Sequence, residues 1–285
     1  MFRRRAGGFL FAIGLSLLPL SAFGQAAETG GPAQATPNPS PRTRIWVALR
    51  DEGKRYLADF GAFVRAPLSW TSEDVQKGIA IGLTIGGLML VDEPLDREFQ
   101  RQRSAFTDQV SSSTTRFGGR DGLYLSAGLL AGGVIFKSDR TRDMGREALE
   151  AALLSHLLSK YVLKPAFGRK RPEDSGGETS FHPFSQHSSF PSGHATQAFA
   201  VASVVAARSE GWVIPTLAYG TASLVALDRV NDRAHFVSDV VAGAVLGTVT
   251  GRFLVARHRK EGEPKSLVVV DVVPIPDGFA LQIRF

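Results

Sequence analysis

Apolar residues gather along this chain in six stretches, 75–91, 122–136, 146–163, 193–207, 212–227 and 234–256. In 146–163 they recur at three- and four-residue spacing, the period of an α-helix that buries one face. Thr71-Ser72-Glu73-Asp74 opens the first stretch with a hydroxyl and a carboxylate placed to cap a helix start. The pattern changes at the carboxyl end. Residues 266–273 are mostly β-branched, Pro276-Asp277-Gly278 forms a turn, and Phe279, Leu281, Ile283 and Phe285 would share one face of a strand. No internal repeat interrupts the series. The pattern predicts an all-α helical bundle with a short C-terminal β-hairpin packed on it.

The amino end reads differently. Arg3, Arg4 and Arg5 precede an apolar stretch over residues 9–20, and Ala22-Phe23-Gly24 places small residues where a signal peptidase reads. Residues 25–43 are rich in Ala, Gly, Thr, Ser and Pro, with too little apolar surface to fold. The expected organisation is a signal peptide at 1–24, a flexible linker at 25–43, a helical domain at 44–260 and the hairpin at 261–285. The uncharged runs 78–91, 122–136 and 211–227 each fall short of the roughly 18 residues expected of a membrane span. Mean hydropathy is zero. The expectation is an exported protein, either a periplasmic bundle or a membrane-seated one with its site facing the periplasm.

Charge and cysteine content narrow the chemistry. Of the formal +6, three charges are the leader arginines, leaving +3, which gives no reason to invoke nucleic acid as a partner. There are no cysteines, which excludes thiol nucleophiles, disulfides and zinc–thiolate sites.

Three clusters carry candidate chemistry. Lys164 is followed by Arg171-Pro172, with Arg169 and Lys170 beside them. Pro165 predicts that the helix ends at Lys164, and an arginine fork suits phosphate oxygens. In Pro191-Ser192-Gly193-His194, Ser192 is placed as a helix N-cap. The free N–H groups behind it favour an anion, and Gly193 allows close approach. Arg229, His235 and Asp239 form the third cluster. A carboxylate four residues after a histidine at a helix start can hold one ring nitrogen and leave the other free to attack phosphorus. Taken singly, a cation run is a solvated face, Pro-Ser-Gly-His an ordinary helix start and His–Asp a surface pair.

Together the strings Lys-x6-Arg-Pro, Pro-Ser-Gly-His and Arg-x5-His-x3-Asp resemble the signature of the type 2 phosphatidic acid phosphatase and vanadium haloperoxidase superfamily, over roughly residues 122–256. The resemblance implies a helical bundle of the acid phosphatase type. It implies that Lys164, Arg171 and Arg229 hold phosphate oxygens, and that Ser192 and Gly193 complete the cradle. His194 would protonate the leaving group, His235 would be the nucleophile, and Asp239 would orient it. No metal or other cofactor is implied. The implied substrate is a phosphorylated small molecule or a lipid phosphate. Asp228 departs from the family serine at the position before Arg229, and is expected to pair with Arg229 or Arg233. The alternatives are a vanadate-dependent haloperoxidase and a non-catalytic phosphate- or lipid-binding protein. Residues 173–189, with His182 and His187, are a candidate rim for the pocket.

Overall fold

Thr71 Oγ1 accepts from the Asp74 backbone N–H at 3.2 Å while Asp74 Oδ2 accepts from the Thr71 N–H at 2.9 Å, a reciprocal cap on the helix that follows. The computed structural model describes residues 41–114, 120–175, 179–260, 269–275 and 278–284. The signal peptide and nearly all of the linker therefore lie outside the described residues. Helix α1 (Pro41–Arg65) passes through a 3₁₀ turn (Ala66–Ser69) to α2 (Ser72–Gln102), followed by α3 (Ala105–Thr114) and α4 (Arg120–Ile135). Helix α5 (Asp139–Leu157) continues as a π-helical segment (Leu158–Leu163) into α6 (Lys164–Phe167). Short α7 (Pro172–Ser175) precedes the long helices α8 (Gly193–Arg208), α9 (Val213–Asn231) and α10 (Val237–Lys260). Strands β1 (Val269–Ile275) and β2 (Gly278–Arg284) pair antiparallel, Val269 opposite Arg284 and Ile275 opposite Gly278. How their side chains pack lies outside the described residues.

The core is built from small side chains. Ala148, Ala151, Ala152 and Leu154 of α5 meet Ala200, Val201 and Val204 of α8 and Leu254 and Val255 of α10. Glycines bring α8 and α10 into backbone contact. A methyl group on Gly243 would lie 2.6 Å from the Ser192 carbonyl oxygen, and one on Gly247 would lie 2.1 Å from that of Thr196. That close approach sets the first turn of α8 against the first turn of α10, where the Ser192 N–H donates to the Asp239 carbonyl at 2.9 Å.

Three expectations change. Helix α1 begins inside the stretch read as linker and runs through a region given no element, because its apolar residues are scattered among charges. Helix α2 does not stop at residue 91. It runs on through Asp92, Glu93 and Pro94, and the two carboxylates are taken up by Arg169 and Ser238 and by the Thr179 N–H. The third change concerns length. Helix α2 is long and apolar enough to cross a membrane, with an 18-residue window of mean hydropathy 1.4 that is only 6% buried. Val237–Arg259 passes the same test at 1.5 but is 50% buried, as a core helix would be. Counting uncharged runs undervalued both, since a helix continues through single charges near its ends.

Candidate active site

Helix α8 starts as its sequence predicts, with the Ser192 side chain accepting from the Ala195 N–H and Gly193 and His194 as its first residues. His235 lies two residues before α10 rather than inside it, so it is the intervening turn, closed by the Phe236 N–H on Asp239 Oδ2 at 2.9 Å, that faces the two side chains. His235 Nδ1 stands 3.7 Å from Asp239 Oδ2 and 3.5 Å from Ser189 Oγ. Ser189 Oγ in turn donates to Asp239 Oδ2 at 2.6 Å. With both neighbours of Nδ1 serving as acceptors, the ring proton belongs on Nδ1 and the lone pair on Nε2. Burial pushes the imidazolium form of His235 down, against the opposing pull of Asp239, so the ring is held neutral.

Behind Asp239 lies an ion-paired wall. Arg169 donates through Nη1 to Asp239 Oδ1 at 2.7 Å and to Ser238 Oγ at 2.7 Å. Through Nη2 it reaches Asp92 Oδ2 at 2.7 Å. Its guanidinium lies over the Phe236 ring, 4.2 Å from the centroid. Asp92 also accepts from the Ser238 N–H at 3.0 Å and from the Ser238 hydroxyl. One helical turn on, Asp96 Oδ2 accepts from Arg233 at 2.8 Å, and Gln100 reaches the Asn231 carbonyl at 3.4 Å. Residues 92, 96 and 100, four apart on α2, thus hold the loops that carry the site.

The cations arrive from α6 and the loop after it. Lys164 does not end its helix, in contrast to the expectation from Pro165. The π-helical segment takes the Lys164 N–H back to the Ser159 carbonyl, one residue further than an α-helix would. This lets Lys164 stay helical and Pro165 sit at the start of α6, which ends at Gly168 with φ +53°. Lys164 Nζ donates to the Ser188 carbonyl at 2.6 Å, and its Cε approaches within 3.9 Å of where a side chain on Gly193 would begin. Burial, reinforced by Arg171, pushes the Lys164 ammonium down to about 8. Arg171 is half-exposed and touches Glu173 at 3.3 Å.

Lys164, Arg171, Gly193, His194 and His235 line a single cavity of about 720 Å³. Ser185, Gln186, His187 and Ser188 form part of its rim, whereas His182 only stacks on His187 with ring centroids 5.5 Å apart. Ser192 is buried beneath the cavity as a cap. Arg229 stands just behind the lining. Its Nε donates to Asp228 Oδ2 at 2.8 Å and its Nη2 to Asp232 Oδ2 at 3.0 Å. It remains close enough to disfavour charge on His194, whose pKa is pushed down to about 4 by burial first, then by Arg229, His235, Lys164 and Arg171. The arrangement is a cationic pocket with a neutral, oriented imidazole at its base.

Sequence reasoning passed over Arg169, Asp92, Ser189 and Ser238. By sequence Arg169 belongs to a cation run of the solvated kind, yet it is fully buried. Asp92 closes the long apolar run of α2, and a carboxylate in that position was a signal available to be read. Away from the cavity, Asp59, Glu150 and His258 bring ligand atoms within 4.8 Å of one another. Arg55 and Arg257 already pair with these carboxylates, at 3.1 and 2.5 Å, so this group joins α1, α5 and α10 as an ion-pair network.

A helical phosphoester hydrolase is the class that this fold defines together with its relatives. Residues 147–263 match the family model of the PAP2 superfamily. The chain is 30% identical over 186 residues to the lipid A 1-phosphatase of Rhizobium etli, covering 59% of this chain and 78% of that protein. The lipid A 1-phosphatase of Rhizobium johnstonii is also 30% identical over 186 residues, covering 59% and 74%. The crystal structure of a transmembrane PAP2-type phosphatidylglycerolphosphate phosphatase from Bacillus subtilis shares the fold, with a TM-score of 0.50 at 24% identity over 65% of this chain and 97% of that one. The chain belongs to the PAP2 superfamily, the type 2 phosphatidic acid phosphatases, and is a hydrolase acting on phosphoric ester bonds.

Proposed function

We propose that the chain is an exported, membrane-seated phosphatase that removes phosphate from lipid phosphates through a phosphohistidine on His235, without a metal ion. The observation that carries this reading is the neutral His235 ring at the base of a cavity lined by Lys164, Arg171 and His194. His235 Nε2 attacks phosphorus, forming a P–N bond as the P–O bond to the leaving alkoxide breaks, and protonated His194 supplies the proton to that oxygen. A water that gives its proton to His194 then attacks phosphorus, breaks the P–N bond and releases phosphate. Lys164, Arg171, Arg229 and the N-terminal N–H groups of α8 stabilise the equatorial oxygens. The donor set supports metal independence, since the described residues that line the cavity include cations and histidines but no carboxylate.

The outward-facing apolar side of α2 supports the membrane seat. Ile79, Leu83 and Leu90 are exposed, while Asp92, directly after the apolar run, binds Arg169 of the site. In this reading the chemistry lies at the end of the apolar run, beside the lipid headgroups. Residues 1–24 serve as the export signal in this reading. The test is phosphate release from lipid and soluble esters with and without EDTA, using protein recovered from carbonate-washed membranes. Turnover insensitive to EDTA and reduced by orders of magnitude in His235→Ala is expected. A variant that keeps a tenth of wild-type activity contradicts the assignment of the nucleophile.

A further inference from the structure

Helix α3 lies outside the three motifs, yet its inward face meets the residues that hold Arg229. It presents little apolar surface to the bundle. Phe106 is 74% exposed, and among the described residues of α3 only Ser111 is buried. Burying a serine is costly unless its hydroxyl is hydrogen-bonded, and here two carboxylates meet it. The Ser111 hydroxyl lies against Asp228 Oδ1 and stands 2.7 Å from Asp232 Oδ1. About one turn earlier on α3, Asp108 Oδ1 accepts from Asn231 Nδ2 at 3.0 Å. Residues 108 and 111 share one face of α3, and residues 228, 231 and 232 share one face of α9, so polar rungs at helical spacing join the two.

The same two carboxylates grip Arg229. Its Nε donates to Asp228 Oδ2 at 2.8 Å, and its Nη2 donates to that oxygen and to Asp232 Oδ2 at 3.0 Å. Asp228 and Asp232 each turn one oxygen to Arg229 and the other to Ser111. A guanidinium is a planar fork, so carboxylates along its Nε–Nη2 edge fix the plane in which it can meet a phosphate. Asp228 is also the residue that departs from the family serine, and a buried carboxylate at that position needs donors. The Ser111 proton, set between two like charges, offsets their repulsion. Among the charged groups that bear on His194, Arg229 acts most strongly, so a change in its plane is felt where the leaving group is protonated.

We propose that Ser111, acting through Asp228 and Asp232, is a positioning residue for Arg229 and sets how tightly the site grips phosphate. The inference rests on the phosphatase reading above in taking Arg229 as a phosphate ligand. In the test, the Kd of inorganic phosphate is measured by calorimetric titration of the full-length wild type, Ser111→Ala, Ser111→Cys and Ser111→Thr. Hydrolysis of p-nitrophenyl phosphate is followed alongside. Ser111→Ala and Ser111→Cys are expected to weaken phosphate about fivefold, the cost of one misaligned charge-assisted hydrogen bond. Ser111→Thr keeps the hydroxyl and should stay within about twofold of wild type. In an Arg229→Met background, where Lys164 and Arg171 still bind phosphate, Ser111→Ala should change Kd by less than about twofold, because the group it acts through is gone. A loss that persists undiminished in Arg229→Met, or a Kd within about twofold of wild type in both Ser111→Ala and Ser111→Cys, overturns the positioning role, whatever happens to Tm. A wild type that binds phosphate but hydrolyses no ester would instead overturn the phosphatase reading, and the Kd comparison would still decide the role of Ser111.

Discussion

The Arg169 guanidinium donates to Asp239 at 2.7 Å with both side chains wholly buried. A buried ion pair stabilises little by itself, because the desolvation of two charges offsets their attraction. Its consequence here is geometric. Arg169 fixes the carboxylate that faces His235, and its other nitrogen fixes Asp92 at the end of the apolar run of α2.

Arg169→Lys keeps a charge but cannot serve both carboxylates with one planar fork. We expect kcat to fall about 10- to 100-fold with KM changed by less than about threefold, since misorientation costs turnover more than binding. Arg169→Ala should lower stability by about 3–5 kcal/mol by leaving two buried carboxylates unpaired. Steady-state kinetics and thermal unfolding check the two. A kcat for Arg169→Lys within twofold of wild type would contradict the positioning role.

His194 should place the pH limbs of the reaction. Its pKa of about 4 leaves the ring neutral in the resting enzyme above that pH. A general acid must be protonated, so kcat/KM, which reports the free enzyme, falls as pH rises through about 4. Bound phosphate adds negative charge beside the ring and raises its pKa, so the descending limb of kcat should lie at higher pH. A kcat limb at or below that of kcat/KM would contradict this. The folded state takes up this proton only near pH 4 and the unfolded chain near 6.5. Acidification from 6.5 to 4 therefore destabilises the fold, and His194→Gln should remove that part of the slope.

Lys164 sets a second limb. With its ammonium depressed to about 8, its charge is present below that pH and lost above it, so KM for phosphate esters should rise as pH passes about 8. Lys164→Arg stays charged throughout and should flatten that rise, whereas Lys164→Met should raise KM below about pH 8 and approach the wild type above it. KM measured from pH 6 to 9.5 decides. A limb that survives in Lys164→Arg belongs to another group.

The packing of α8 on α10 carries its own prediction. Gly247→Ala would place a methyl 2.1 Å from the Thr196 carbonyl oxygen and 2.7 Å from the Ala200 nitrogen. Forcing the helices apart should cost about 1–3 kcal/mol or more, and thus several degrees in Tm. Gly53→Ala in α1 meets nothing within 4 Å and should instead stabilise by about 0.4–1 kcal/mol. Thermal unfolding of the two variants checks the contrast, and equal Tm changes would contradict it.

Much of the bundle was legible because helical apolar stretches announce themselves, and the three strings announced Lys164, Arg171, His194, His235 and Asp239 by residue type and spacing. What was illegible is of two physical kinds. Charges that are buried in pairs look like surface charges until their partners are known, which hid Arg169 and Asp92, 77 residues apart. Backbone contact between helices depends on glycines at positions 243, 247 and 251, whose four-residue spacing is visible but whose partner helix is not. The π-helical turn before Lys164 had no counterpart in the pattern, so Pro165 suggested an end where the helix in fact adapts.

In the proposed reaction phosphorus is transferred to His235. Rapid quenching during turnover of a ³²P-labelled ester should trap label on the protein that is stable to alkali and lost in acid, as expected of a phosphoramidate, and none on His235→Ala. A wild-type enzyme that turns over without ever carrying label, or a His235→Ala variant that carries as much, would contradict the account.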